Sequence, residues 1–235
     1  MKLSILTATY NRAKYLPKLY ESIAKNQESS SIKAEWIIID DGSTDATKQV
    51  IDNLIKKNGE DSTNAENTVT KNSITIKYIY QQNQGKMAAI NRGMKEVTGE
   101  LVVDCDSDDF FVENAFSIIE RNASRLSKSN KLYALCFLKK DTQGNTSGNK
   151  FKADYQESTM FDLYFKEDIQ GEKILVFNSD IRKKYKHELE AGERFITEAR
   201  MYHKMDKDYA ILCINDVIQI GEYIEDGYTD RKSVV

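Results

Sequence analysis

Four short apolar, β-branched runs, each leading towards a stretch of helical periodicity, constrain what this chain can fold into more than any other feature. The runs are Leu3 to Thr9, Trp36 to Ile39, Ile74 to Tyr80 and Leu101 to Val103. Short apolar runs bounded by polar turn residues read as buried strands. After the first, Leu16, Leu19, Tyr20 and Ile23 share one helical face, and Pro17, the only proline, is tolerated if it lies in the first turn. Val50, Ile51, Leu54 and Ile55 form a second face, with Ser43 or Thr44 as N-cap. Met87, Ile90, Met94 and Val97 form a third, closed by Gly99. Repeats of this kind connect by right-handed crossovers, so the expected class is α/β, a mostly parallel central sheet with helices on both faces. Residues 58–73 are polar and aperiodic and read as a surface excursion.

Ligands of such sheets bind at the carboxyl ends of the strands. Every short polar motif of the first half falls at one: Thr7-Ala8-Thr9-Tyr10-Asn11, Asp40-Asp41-Gly42-Ser43, Gly85-Lys86 and Asp106 to Asp109. The last belongs to LVVDCDSDDFF, residues 101–111, where Asp104, Asp106, Asp108 and Asp109 crowd one strand end. Carboxylates that close repel one another unless a cation or N–H donors compensate them. Oxygen ligands alternating along Asp106-Ser107-Asp108 suit a hard ion such as Mg2+ or Mn2+. The alternative is an acidic loop whose last aspartate caps the next helix.

Composition narrows the class. A net charge of −3 gives no global attraction to nucleic acid. Three scattered cysteines and two histidines, with no CxxC pair, argue against a disulfide framework or structural zinc and for a reduced, cytoplasmic setting. Met1-Lys2 runs straight into a strand, and no apolar run approaches spanning length, so the expectation is a soluble protein, peripheral to a membrane at most.

The succession TATYNRAKYLP, IIIDDGSTDAT, QNQGKMAAINRGMKEVTGE and VVDCDSDD resembles the family-two glycosyltransferases of the GT-A fold, as found in bacterial surface-polysaccharide synthesis, from Met1 to Phe111. The resemblance implies one domain over 1–235, with a nucleotide-sugar half (1–111) and an acceptor half (112–235). It implies transfer of a sugar from a nucleotide-sugar, a UDP-sugar by preference, to a hydroxyl of a glycan or lipid-linked glycan, with Mn2+ or Mg2+ as cofactor. Carried onto this chain, it places Thr9 and Tyr10 at the base pocket with Asn11 beside them, and Asp40 as acceptor for a uracil-like ring N–H. Lys86 would face the diphosphate, with Asn91 along the same helix. Asp106 would approach ribose and metal, and Asp108 the metal between the phosphates. Asp41 and Ser43 read as turn-holding residues, Asp109 as a second metal ligand or, by preference, a helix cap, and Asp104 and Cys105 as structural.

The second half reads more sparsely. Phe116, Ile119, Ala123 and Leu126 make an amphipathic helix, Leu132 to Leu138 a strand, and 141–150 a turn. The aromatic run Tyr155, Phe161, Tyr164 and Phe165 reads as core, and Lys183, Lys184 and Lys186 as a solvated cluster. His187 and His203 read as structural or surface histidines. An inverting transferase needs a carboxylate to deprotonate the acceptor hydroxyl. Glu198, opening a helix in which Ala199, Tyr202 and Met205 face inward, is the first choice, and Glu193 the second. Relatives commonly place a Glu-Asp pair there, and this chain has Thr197-Glu198-Ala199. Two rival readings are a sugar nucleotidyltransferase, which would want a Gly- and basic-rich loop after its first strand, and a non-catalytic sugar-nucleotide binder.

Overall fold

The computed structural model describes residues 1–57, 69–71, 74–190, 192–194 and 196–221. In chain order the elements are β1 (Lys2–Thr9), α1 (Leu16–Glu28), β2 (Lys33–Asp40), α2 (Thr47–Lys57), β3 (Val69–Lys71), β4 (Ile74–Tyr80), α3 (Lys86–Gly93), β5 (Leu101–Asp104), β6 (Asp109–Phe111), α4 (Ala115–Ser127), β7 (Leu132–Asp141), β8 (Gln156–Ser158), α5 (Met160–Phe165), β9 (Lys173–Asn178), α6 (Ser179–Arg182), α7 (Ala199–Met205) and β10 (Ala210–Gly221). All ten strands belong to one sheet, ordered β3-β4-β2-β1-β5-β9-β7-β10-β6, with β8 alongside β10. The expected parallel order holds across β4, β2, β1 and β5, and again between β7 and β10. Strand β9 runs antiparallel between β5 and β7 and joins the two halves.

Successive strand residues point to opposite faces, and here the two faces feed two separate cores. Leu3, Ile5, Trp36 and Ile38 pack with the inner faces of α1, α2 and α4. Leu6, Ile37 and Ile39 pack with Ala89, Ile90, Leu163, Met201 and Met205 from α3, α5 and α7. Burial on both faces explains why the central strands read as continuous apolar runs. Trp36 is fully buried, and its indole N–H is satisfied by Thr7 Oγ1 at 2.9 Å.

Several local expectations are corrected. Helix α2 begins at Thr47, and the acceptor at its start is Asp45, whose Oδ1 takes Thr47 N at 2.9 Å, in place of Ser43 or Thr44. Helix α3 stops at Gly93 and runs into a single 3-10 turn, Met94–Glu96. Gly99 is no cap: a Cβ there would lie 2.7 Å from the Lys2 carbonyl, so glycine permits close contact with β1. Phe161, Tyr164 and Phe165 are exposed instead of buried, because α5 is one short helix with only Met160 and Leu163 turned inward, and Tyr155, just before β8, is exposed with the Arg125 guanidinium over its ring. On α7 the buried residues are Met201 and Met205, with Tyr202 half-buried. His203 packs edge-on against Phe161 and Phe165 on the surface. The surface excursion expected over 58–73 lies largely outside the described residues, as does the polar end of the chain after 221. Among the described residues no helix is long and apolar enough to cross a membrane.

Candidate active site

The carboxyl ends of β4, β2, β1 and β5 lie side by side, and the loops leaving them are laced together. Asn11, in the left-handed region at φ 53°, accepts through Oδ1 from Thr44 N at 2.8 Å and donates its own N–H to Ser43 Oγ at 2.9 Å. It therefore ties the loop after β1 to the loop after β2. Asp40 is buried, with Oδ1 on Ser43 N and Oδ2 on the Tyr78 hydroxyl, both at 2.8 Å. Asp41 accepts from Gln81 Nε2, Gln84 N and Gly85 N at 2.8–2.9 Å, which shapes the approach to α3 as its turn-holding reading requires. Thr9 is buried with its hydroxyl unpartnered, and Tyr10 stands at the rim, 49% exposed.

Lys86 is the centre of the cleft. Its Nζ lies 2.8 Å from Asp106 Oδ1 and 3.4 Å from Glu198 Oε1, so one ammonium joins the donor-side and acceptor-side carboxylates read from the sequence. Burial works against the Lys86 charge, but Asp106 and Glu198 outweigh it and hold the amine well above the ordinary lysine value. Burial would likewise raise Asp106; the Lys86 charge and hydrogen bond bring it below the usual carboxylate range. The two side chains remain 31% and 45% exposed, so solvent screens the pair and it contributes little to stability.

The rest of the acidic stretch divides by direction. Asp108 makes no hydrogen bond or ion pair to another described side chain; burial first, then the Asp106 charge, raises its carboxyl, against its own backbone N–H and the more distant Arg12 and Lys139 charges. Asp109 is not a helix cap. It opens the short strand β6, is buried, and places Oδ2 2.7 Å from Lys139 Nζ. Burial pushes the Asp109 carboxyl up while Lys139 pulls it down, and the same pair raises Lys139. An ammonium held by two carboxylates, Asp109 and Glu172, is the charge-paired arrangement. Asp104 is raised by burial, with Arg182 and Lys86 opposing.

Other expected site residues are committed locally. Asn91 spends both ends of its amide on the His187 backbone, donating to the carbonyl at 2.7 Å and accepting from the N–H at 2.9 Å. Burial, then Arg182 and Lys86, depress His187 to about 3, so its ring is neutral near pH 7. Glu193 Oε2 accepts from Glu190 N at 3.1 Å. Its loop still borders the cleft, because a Cβ on Gly85 would meet the Arg194 carbonyl at 2.3 Å. Sequence reasoning missed Lys139 and Arg182. Their signal was weak: Lys139 directly follows the apolar run Leu132 to Leu138 of β7, and Arg182 ends the short helix α6 that follows β9.

Among the described residues no group of three or more His, Cys, Asp or Glu could enclose a metal. The chain offers a pair, Asp106 and Asp108, which is the number Mg2+-type ions commonly take when substrate phosphates complete the shell. The unpartnered Asp108 carboxyl, raised by a neighbouring like charge, fits that role.

Known proteins resemble this chain in sequence and in fold. The chain is 33% identical over 138 residues to the GalNAc(5)-diNAcBac-PP-undecaprenol beta-1,3-glucosyltransferase of Campylobacter jejuni, covering 58% of this chain and 37% of that one. It thus spans well under half the length of that relative. Staphylococcus aureus TarS in complex with UDP-GlcNAc superimposes with a TM-score of 0.64 at 20% identity, over 97% of this chain and 60% of that one. A mannosyltransferase of Pyrobaculum calidifontis in complex with GDP-Man and Mn2+ superimposes at 0.62 with 16% identity, over 96% of this chain and 58% of that one. At such identities these likenesses show the fold, which is GT-A. The sequence model of Glycosyl transferase family 2 matches residues 4–185, most of the 235-residue chain, and the chain belongs to that family.

Proposed function

We propose that this protein transfers a sugar, with inversion, from a nucleotide-sugar donor to a hydroxyl of a glycan or lipid-linked glycan acceptor. The observation that carries the reading is the Lys86 ammonium, shared between Asp106 and Glu198 at the carboxyl edge of the sheet. It brings a phosphate-directed cation and a proton-accepting carboxylate into one cleft. The donor is a UDP-sugar: a structural neighbour carries UDP-GlcNAc, and the Asp40 carboxylate at the end of β2, held by Ser43 N and the Tyr78 hydroxyl, would serve a uracil ring N–H as a further acceptor. The acceptor class follows the undecaprenol-linked glycan in the name of the Campylobacter relative. The role is in surface-polysaccharide synthesis, in the cytoplasm or at the inner face of its membrane. We read 1–235 as one domain, 1–111 holding the donor and 112–235 shaping the acceptor site.

Glu198 takes the proton of the acceptor hydroxyl as its oxygen attacks the anomeric carbon; the bond from that carbon to the diphosphate breaks, and the nucleoside diphosphate leaves with the electron pair. Lys86 lies where the developing negative charge needs a fixed cation. Asp106 and Asp108 would hold a Mg2+ or Mn2+ ion, which when bound supplies Lewis-acid neutralisation of the diphosphate. Glu198 serves better as base than Glu193, since its carboxylate faces Lys86 while that of Glu193 closes its own loop. The test is calorimetry with UDP, with and without Mn2+, followed by donor hydrolysis and transfer across UDP-, GDP- and dTDP-sugars. Mn2+-dependent UDP binding that is lost in Asp108→Ala is expected; turnover undiminished in that variant would refute the metal role.

A further inference from the structure

The segment from Cys105 to Asp108 carries the carboxylates of the cleft without regular structure of its own, so something must fix its two ends. At the near end Cys105 N donates to the Leu6 carbonyl at 2.9 Å, and Gln219 Nε2 approaches the Asp104 carbonyl at 3.4 Å. At the far end Asp109 N closes a turn on the Asp106 carbonyl at 3.0 Å, and β6 pairs antiparallel with the end of β10, Asp109 opposite Gly221. Beneath this pairing lies Lys139. It projects from β7, is 8% exposed, and sets its ammonium 2.7 Å from Asp109 and 2.6 Å from Glu172. Gly221 leaves room for it: a Cβ there would sit 2.5 Å from Lys139 Cε and 3.3 Å from Asp109 Oδ1. A buried lysine is costly unless it is paired, and this one is paired with Asp109, which opens β6, and with Glu172, just before β9.

Neighbouring residues entering a strand send their side chains to opposite sides. An anchor that pulls Asp109 inward therefore turns Asp108 outward, towards the cleft. We infer that Lys139 is a positioning residue for transfer: by clamping Asp109 it aims the adjacent Asp108 carboxylate at the cation and diphosphate of the donor. The inference rests on the donor-site reading given above. Lys139 makes no ion pair with Asp106 or Asp108, although its charge lowers both carboxyls; its contact with the stretch is through Asp109, as outer partners act on the ligands of many metal sites.

The test uses the full chain with Lys139→Met, which keeps length and removes the ammonium, and the double variant Lys139→Met/Asp109→Asn, which leaves no unpaired buried charge. Two readouts are taken: Mn2+-dependent UDP affinity by calorimetry, and amide hydrogen exchange over 105–111. Lys139→Met is expected to weaken UDP binding in Mn2+ by about tenfold or more, the usual cost of losing an outer partner of a metal site, with far less effect on metal-free UDP. Exchange over 105–111 is expected to accelerate to a similar degree. The double variant is expected to regain the wild-type unfolding midpoint and keep both defects, which a merely structural ion pair would not do. Wild-type affinity and wild-type exchange in the double variant would overturn the inference. If the wild-type protein binds no UDP with Mn2+, it is the donor reading that falls; the exchange readout then decides the anchor, and unchanged protection over 105–111 overturns it.

Discussion

Glu35 lies fully buried on β2 at the amino-terminal end of the sheet, the end away from the cleft. Its carboxylate accepts from Ser4 Oγ, from Thr98 N at 2.7 Å and Thr98 Oγ1 at 2.8 Å, and from Gly99 N at 3.2 Å. Lys2 Nζ stands 2.8 Å away and Lys77 Nζ 3.7 Å. Burial alone would raise this carboxyl, yet the surrounding donors hold it at about 2 against an ordinary 4.5. At roughly 1.4 kcal/mol per pH unit, that difference corresponds to about 3 kcal/mol of folding stability. A depressed carboxyl contributes above its unfolded value and loses the contribution as pH falls through the folded one. The stabilisation is therefore complete above about pH 5 and gone near pH 2. Glu35→Gln keeps the shape and removes the charge, and breaking a buried pair from one side costs roughly 3–5 kcal/mol. Urea unfolding of both proteins, followed by circular dichroism at several pH values, should show a gap of about that size at pH 7 that narrows steadily below about pH 4. A gap as wide at pH 3 as at pH 7 would refute the reasoning, because the cost would then come from packing and not from charge.

Further outcomes follow from the cleft. Glu198→Gln is expected to lower turnover by about 10²–10⁴-fold, the usual share of a general base, with UDP affinity little changed; full activity would move the base to Glu193. Asn91→Ala leaves the His187 N–H and carbonyl without their side-chain partner and should cost about 1–3 kcal/mol in chemical unfolding. Gly85→Ala forces a Cβ to within 2.3 Å of the Arg194 carbonyl at a residue with φ 95°. It should destabilise by about 1–3 kcal/mol and depress transfer more than UDP binding, since the displaced loop leads to Glu198.

How much of this was legible in the sequence depended on the distance over which each feature is decided. The strands β1, β2, β4 and β5 and the helices between them follow from local periodicity, and the motifs at their ends follow from the topology those periods impose. Asp109 was misread because β6 has three residues and exists only through pairing with β10, more than a hundred positions later. The left-handed turn at Asn11 and the doubly bonded amide of Asn91 depend on loops brought close by the fold, which a single sequence does not display. Lys139 directly follows the apolar run Leu132 to Leu138, and nothing local to it singles it out. Its meaning lies in Glu172 and Asp109, each about thirty residues away along the chain. The aromatic run was read as core because apolar residues usually are; α5, at six residues, has too little inner face to bury Phe161, Tyr164 and Phe165.

The two ends of the sheet treat negative charge in opposite ways, and the contrast locates function without reference to any motif. At the amino end a single carboxylate, Glu35, is met by two lysines, two hydroxyls and two backbone N–H groups, and is held in its charged form. At the carboxyl end Asp104 and Asp106 feel the Lys86 charge, Arg182 acts on Asp104, Lys139 on Asp106 and Asp108, and Arg12 on Asp108, yet two of the three carboxyls are raised. Evenly matched charge is what stability alone requires. A fold that satisfies one buried carboxylate with six partners shows what full compensation looks like, and the shortfall at the other end agrees with the proposed roles: Asp108 for a cation, and Lys86, divided between Asp106 and Glu198, for a diphosphate. In the proposed reaction a diphosphate would compete for the ammonium, and the Glu198 contact, at 3.4 Å the longer of the two, is the one expected to yield first, which would free the proposed base for the acceptor hydroxyl.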